Sequence, residues 1–224
     1  MVLTFIVIAG GALAYAMNLP RVYQYVTIYN AAEQSPNTPL ESLNTLVAKA
    51  NNLYLGPLTR EMLAEQDWQT LPFDVNIENP DDTLLIELSS DATPDLVDQV
   101  RALHESVLQR LEQGQAGLVE RRREVIERQL ASTERSLEAL EDSTSPAAGE
   151  LIATYTQRIT NLETQLIDLQ PGEMNQLAVQ SVLPTGTSRS LILAMGLVLG
   201  GVLAIMAAFM SHFAGLVCTS MREE

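Results

Sequence analysis

The sequence predicts an α+β protein in which two apolar helices flank a water-soluble domain built from a small mixed sheet and a long helical hairpin. Three observations lead there. Apolar residues gather at the two ends: Val2 to Met17 carry no charge, and Leu191 to Met210 carry neither charge nor a strongly polar group. Short stretches between them alternate with period two, as strands with one buried face do. Over 94–170 the apolar residues instead recur every three or four positions, as in helices that bury one stripe.

The size fits this plan, since 224 residues suffice for one sizeable domain plus membrane anchors. With aromatics at 5% the core must be aliphatic. The formal charge of −15 disfavours a general nucleic-acid binder, which needs a basic surface to meet phosphates. Cys218 is the one cysteine, so an internal disulfide and a multi-cysteine metal site are excluded. His104 and His212 leave little for a histidine metal site or a Ser-His-Asp triad. No cofactor is expected.

The first apolar run, within residues 1–18, is about 24 Å long as a helix, short for a bilayer crossing. Three readings are open: a helix that starts upstream, one extended by Asn18 and Leu19, or a signal peptide cut near Ala14-Tyr15-Ala16. The absence of a basic leading segment favours an uncleaved anchor. The second run, within 188–213, is about 30 Å long and reads as a transmembrane helix, followed by a short tail over 214–224. The domain between them spans 19–187.

Arg21 to Tyr29 alternates, with Tyr23, Tyr25, Thr27 and Tyr29 on one face, and predicts a strand. Ala31 to Thr38 reads as a loop. Thr38 is placed to cap a helix from Pro39, with Leu40, Leu43, Val47, Ala50 and Leu53 on its face and a break at Gly56-Pro57. Leu58 to Gln66 restarts a short helix. Phe73, Val75 and Ile77, then Leu84, Ile86 and Leu88, predict two strands around the turn Asn79-Pro80-Asp81-Asp82. Thr93-Pro94 opens a helix to about Glu141, some 70 Å long, with a kink expected at Gly114 and Gly117. Asp142 to Gly149 is a loop. Ile152, Tyr155, Ile159, Leu162, Leu166 and Leu169 form an a/d seam on the returning helix. Asn175 to Leu183 is the last strand.

Motifs for phosphate cradling, serine hydrolysis or zinc proteolysis are missing. Asp81, Asp82, Asp91, Asp95 and Asp98 suit turns and a helix N-terminus; a cation site or a glycosidase pair is the sharper alternative. Arg121, Arg122 and Arg123 form the basic cluster, read either as a solvated face or as a contact for glycan, lipid phosphate or a neighbouring subunit. His104 reads as an ordinary helix-surface residue. Trp68 and the strand tyrosines suit sheet packing or sugar stacking. Gly196, Gly200, Ala204 and Ala208 make a stripe of small residues along the second anchor, and Gly10 and Ala14 offer a matching patch on the first, for helix–helix packing within or between chains.

Three stretches carry a resemblance to a known family: Leu19-Pro20-Arg21-Val22-Tyr23 after the first anchor; Asp74 to Leu108 with Leu84-Leu85-Ile86-Glu87-Leu88-Ser89-Ser90; and Pro184, Ser188, Arg189, Leu191, Gly196 and Gly200 where the chain returns to the membrane. In these the chain resembles the Wzz-type polysaccharide co-polymerases, the chain-length determinants of bacterial inner membranes, without the tyrosine-kinase domain some carry. It departs in having Thr187-Ser188-Arg189 where Ser-Pro-Lys is common. The resemblance implies no enzymatic activity. It implies a periplasmic middle, cytoplasmic termini and a ring-like homo-oligomer. It further implies work with a Wzy-type polymerase on a lipid-linked glycan: O-antigen, capsule or exopolysaccharide. The competing reading is a membrane-tethered coiled-coil adaptor or sensor that binds a protein partner; a glycosidase is a distant third.

Overall fold

A computed structural model describes residues 2–141, 148–186 and 188–220. The chain divides into two compact units: residues 23–182, and the two end segments 1–22 and 183–224 together.

The larger unit is α+β. Its sheet has the order β4-β5-β1-β6, where β1 is Tyr23–Asn30, β4 Asn76–Glu78, β5 Leu85–Ala92 and β6 Glu173–Gln180. Every pairing is antiparallel, so the sheet is not the mixed one expected. β1 is an inner strand, paired with β5 on one edge and β6 on the other. Tyr25, Thr27 and Tyr29 are buried, and the alternate residues Gln24, Val26 and Ile28 are half-buried. Three-residue β4 is one edge, and a strand that short limits edge-to-edge pairing.

The segment after β1 differs from its expected loop. Glu33–Ser35 (β2) and Thr38–Pro39 (β3) form a small hairpin across Pro36-Asn37, with Asn37 at φ 61°. The following helix α2, Leu43–Lys49, therefore starts later than Pro39. Its cap is Ser42, whose Oγ accepts from the Thr45 amide at 3.3 Å. The helical path also fails to break at Gly56-Pro57. Ala50–Leu55 forms a π-helical turn and α3, Gly56–Gln66, continues from it with Pro57 in its first turn. The wider turn accommodates the ring and missing amide of proline, which an unbroken α-helix does not.

A 3₁₀ turn at Pro94–Leu96 leads into α4, Val97–Glu141, a 45-residue helix about 68 Å long. It is α-helical straight through Gly114 and Gly117, with no loosened turn at the join. Gly114 serves close approach instead: a Cβ there would stand 3.3 Å from Tyr54 Oη. α5, Ala148–Asp168, returns along α4; the rest of the expected loop, 142–147, lies outside the described residues. The expected seam is seen, with Leu162 and Leu169 buried and Ile152, Tyr155, Ile159 and Leu166 half-buried.

The inner part of α4 covers the sheet. Val107, Leu108 and Leu111 pack with Tyr29, Ile86 and Leu88. Val100 and Leu103 pack with Tyr25 and Phe73, and half-buried Trp68 joins them. The tyrosine face of β1 and Trp68 therefore belong to the core, not to an open sugar platform.

His104 is also part of this core, contrary to its expected surface place: it is fully buried. The sequence position explains this, since His104 follows Val100 by four residues on the covered face. Its Nδ1 lies 2.9 Å from Thr27 Oγ1 on β1, and its Nε2 lies 2.9 Å from Ser90 Oγ on β5. A neutral imidazole offers one donor and one acceptor, which two hydroxyls can satisfy. Burial lowers the His104 pKa to about 4 and holds it in that neutral form. Thr27 Oγ1 also accepts from the Ala178 amide at 2.7 Å. That bond pins a bulge in β6, where Leu177 and Ala178 together face Thr27 and Ala178 takes φ 44°.

Candidate functional site

Three groups of residues are candidates: the small residues of the apolar helices, the segment where the chain returns to the second helix, and the arginines of α4.

The smaller unit contains α1, Val2–Asn18, and α6, Arg189–Ser220. Within α6, Arg189–Met210 is long and apolar enough to cross a membrane, at 22 residues and about 33 Å against a hydrocarbon core of about 30 Å. α1 has 17 residues, about 26 Å. The two helices pack antiparallel, with α1's outgoing end beside α6's first turn.

Gly196, Gly200 and Ala204 are buried and Ala208 is half-buried. A Cβ on Gly196 would collide with Cβ of Ala12, so this glycine is where the helices approach closely. Within the chain the facing residues of α1 are Ala12 and buried Ala16, and Gly10 and Ala14 take no part in this contact. Gly10 and Ala14 are exposed, and a Cβ on Gly10 would meet nothing within 4 Å. The reason is helical phase: two residues are about 200° of rotation, so the two pairs lie on nearly opposite faces. Sequence spacing recognises a small-residue pair but does not choose between two interleaved ones.

Where the chain returns to α6, Ser188 caps the helix: its Oγ accepts from the Leu191 amide at 3.1 Å, and its carbonyl accepts from Ile192 at 3.2 Å. Arg189 Nη2 donates to the Leu19 carbonyl at 3.0 Å. The Thr185 amide donates to the Val22 carbonyl at 2.9 Å. Pro184, Gly186, Ser188, Arg189 and Ser190 then line one side of a cleft of about 360 Å³, and Leu19 to Val22 line the other. Leu191, the fourth residue expected here, is exposed on α6. Arg21 was not singled out for a role, yet it lines this cleft opposite Arg189. Its signal was available, because it is the first charge after the first apolar run, as Arg189 is the last before the second.

The arginines of α4 do not form one patch. All three are exposed, but consecutive residues turn by about 100°. Arg123 pairs with Glu120 at 3.6 Å, and Arg122 donates to Gln165 Oε1 across the hairpin at 3.4 Å. An exposed pair of this kind contributes at most about 1 kcal/mol. The β4–β5 turn that carries Asp81 and Asp82 is tied by the side chain of Asn79. Asn79 Nδ2 donates to the carbonyls of Thr83 and Leu85, at 3.0 and 2.7 Å, and Asp82 takes φ 57°. Among the described residues there is no group of three or more potential metal ligands.

No family model matches this chain, and no curated protein matches it in sequence. It is similar to solved polysaccharide co-polymerase structures. A full-length bacterial polysaccharide co-polymerase aligns over 94% of this chain and 95% of its own, at 10% identity and a TM-score of 0.37. A fragment of WzzB, polysaccharide co-polymerase from Salmonella Typhimurium, aligns over 74% of this chain and 100% of its own, at 9% identity and a TM-score of 0.32.

Proposed function

We propose that this chain controls the length of a lipid-linked bacterial surface polysaccharide, such as O-antigen, capsule or exopolysaccharide, as an oligomeric scaffold acting with a Wzy-type polymerase. In this reading residues 1–18 and 188–213 are transmembrane helices in the bacterial inner membrane. Residues 19–187 are the periplasmic domain, 214–224 form a short tail, and both termini are cytoplasmic.

The observation that carries the reading is the order of elements. First strand β1 and last strand β6 are adjacent and antiparallel, so the chain enters the larger unit and leaves it at the same end of the sheet. An apolar helix lies before the one and after the other. Between them runs α4, about 68 Å long, whose outer part is held to α5 by one seam and is exposed on its other faces. That order is the one the three stretches of family resemblance imply. The work such a molecule does is geometric: subunits packed side by side set the shape that the polymerase engages.

The test is a gel of surface polysaccharide from cells with the gene, without it, and with it restored. A narrow length distribution that broadens on deletion and narrows again on restoration supports the proposal. An unchanged distribution removes it and leaves a membrane-tethered adaptor, to be pursued by pull-down of its protein partner. Chemical cross-linking of the full chain in membranes tests the scaffold separately, with a ladder of multimers expected.

A further inference from the structure

The cleft beside the first turn of α6 has a charge pattern that its packing does not explain. Among residues 1–22 and 183–220 the only arginines are Arg21 and Arg189, there is no lysine, and there is no acidic residue. Both arginines line the same cleft. Arg189 spends one N–H on the Leu19 carbonyl, and Arg21 makes no hydrogen bond or ion pair with the described residues. The cleft lining holds these two positive charges and no carboxylate, so an anion between them would be attracted by both.

The position says which kind of anion. α1 ends at Asn18, the uncharged run of α6 begins at Ser190, and the cleft lies between Leu19 and Ser190. If these helices cross a bilayer, the cleft sits at the level of the lipid headgroups. Its lining is mixed in the sense such a ligand requires. Leu19, Pro20, Val22 and Pro184 present apolar surface, while the guanidinium groups present forked donors that match phosphate oxygens.

We propose that this cleft binds the phosphate of an anionic lipid, with Arg21 and Arg189 as its ligands. The shared chemistry is a phosphate on a lipid, whether from a membrane phospholipid or a polyprenyl diphosphate. The proposal requires that the helices be in a membrane, and it is independent of any control of glycan length.

The experiment is native mass spectrometry of the full chain in neutral detergent micelles, titrated with phosphatidylglycerol, with polyprenyl diphosphate and with inorganic phosphate. Retention of the wild-type chain in carbonate-washed membranes checks the membrane placement on its own. Lipid adducts are expected on the wild type and about thirtyfold weaker on the Arg21→Gln/Arg189→Gln variant, as two lost interfacial charges imply. The Arg21→Lys/Arg189→Lys variant keeps the charges and should retain most of the binding, which separates lost charge from lost fold. Whichever of the two lipids binds more tightly identifies the source. Inorganic phosphate binding as tightly as either lipid would overturn a lipid site, and so would equal lipid adducts on wild type and Gln variant.

Discussion

The inner and outer parts of α4 are one helix in two environments. From Val100 to Leu111 the helix lies on the sheet. Val100, Leu103, His104, Val107, Leu108 and Leu111 are all buried there, a broad face closed on both sides. Among the described residues from Val119 outward only Val119, Ile126 and Thr133 are buried; Val119 packs with Ala32 and Leu169, and beyond it the stripe faces one partner, α5. The exposed flanks carry the charges. The difference teaches where the larger unit holds its stability. A broad buried face joins several elements into one cooperative core, whereas a single seam ties each turn only to the turn beside it.

The largest expected effect is on the inner part. Leu103→Ala leaves a cavity among Tyr25, Val100 and Phe73 and should cost about 2–5 kcal/mol, read as a lower urea midpoint of the full chain in micelles. Ile126→Ala removes similar surface from a seam able to collapse, so its cost should lie at the low end of that range. Equal costs would break the comparison.

Next is the pH response of His104. The unfolded imidazole protonates near 6.5 and the folded one at about 4. The unfolded state therefore binds the extra proton between those values, and stability falls as pH drops from 6.5 towards 4. The full loss is roughly 3 kcal/mol, levelling off below the folded pKa. His104→Gln should flatten this part of the stability–pH curve, and Ile126→Ala should leave it intact.

Smaller still is Gly172→Ala. The added methyl would collide with Tyr29 Oη and lie 2.9 Å from the Asn30 carbonyl. Tyr29 is fully buried and cannot swing aside, so about 1–3 kcal/mol is expected in the same unfolding measurement. The smallest effect belongs to Arg122→Ala on the outer hairpin, whose bond to Gln165 is exposed. A change within about 0.5 kcal/mol is expected, and a larger one would mean that the outer hairpin relies on its flanks.

Much of this contrast was legible in the sequence. The alternation of Tyr23, Tyr25, Thr27 and Tyr29 marks the covered face of β1, and the spacing from Ile152 to Leu169 marks the seam of α5. Both are repeats of apolar side chains in one period, which is what burial of a single face imposes. His104, Thr27 and Ser90 were not legible as a group because their pairing joins residues distant in sequence and hides polar atoms by satisfying them. The late start of α2 turned on competition between Thr38 and Ser42 as caps, which the small β2–β3 hairpin decides. At the candidate site, the stripe through Gly196 and Gly200 was readable. Which face of α1 meets it within the chain was not, because the phase of α1 is fixed by packing and not by composition. The pairing of Arg21 with Arg189 in one cleft is not legible either, because the two are distant in the chain and brought together by the fold.

The most direct test of this division is hydrogen exchange of the full chain in micelles, followed by mass spectrometry of peptides from β1, β5 and the two parts of α4. The account predicts that amides of 100–111 and of both strands exchange slowly and together. It predicts that amides of 120–140 exchange much sooner, through local opening of the seam. Equal protection along the whole of α4 would contradict it.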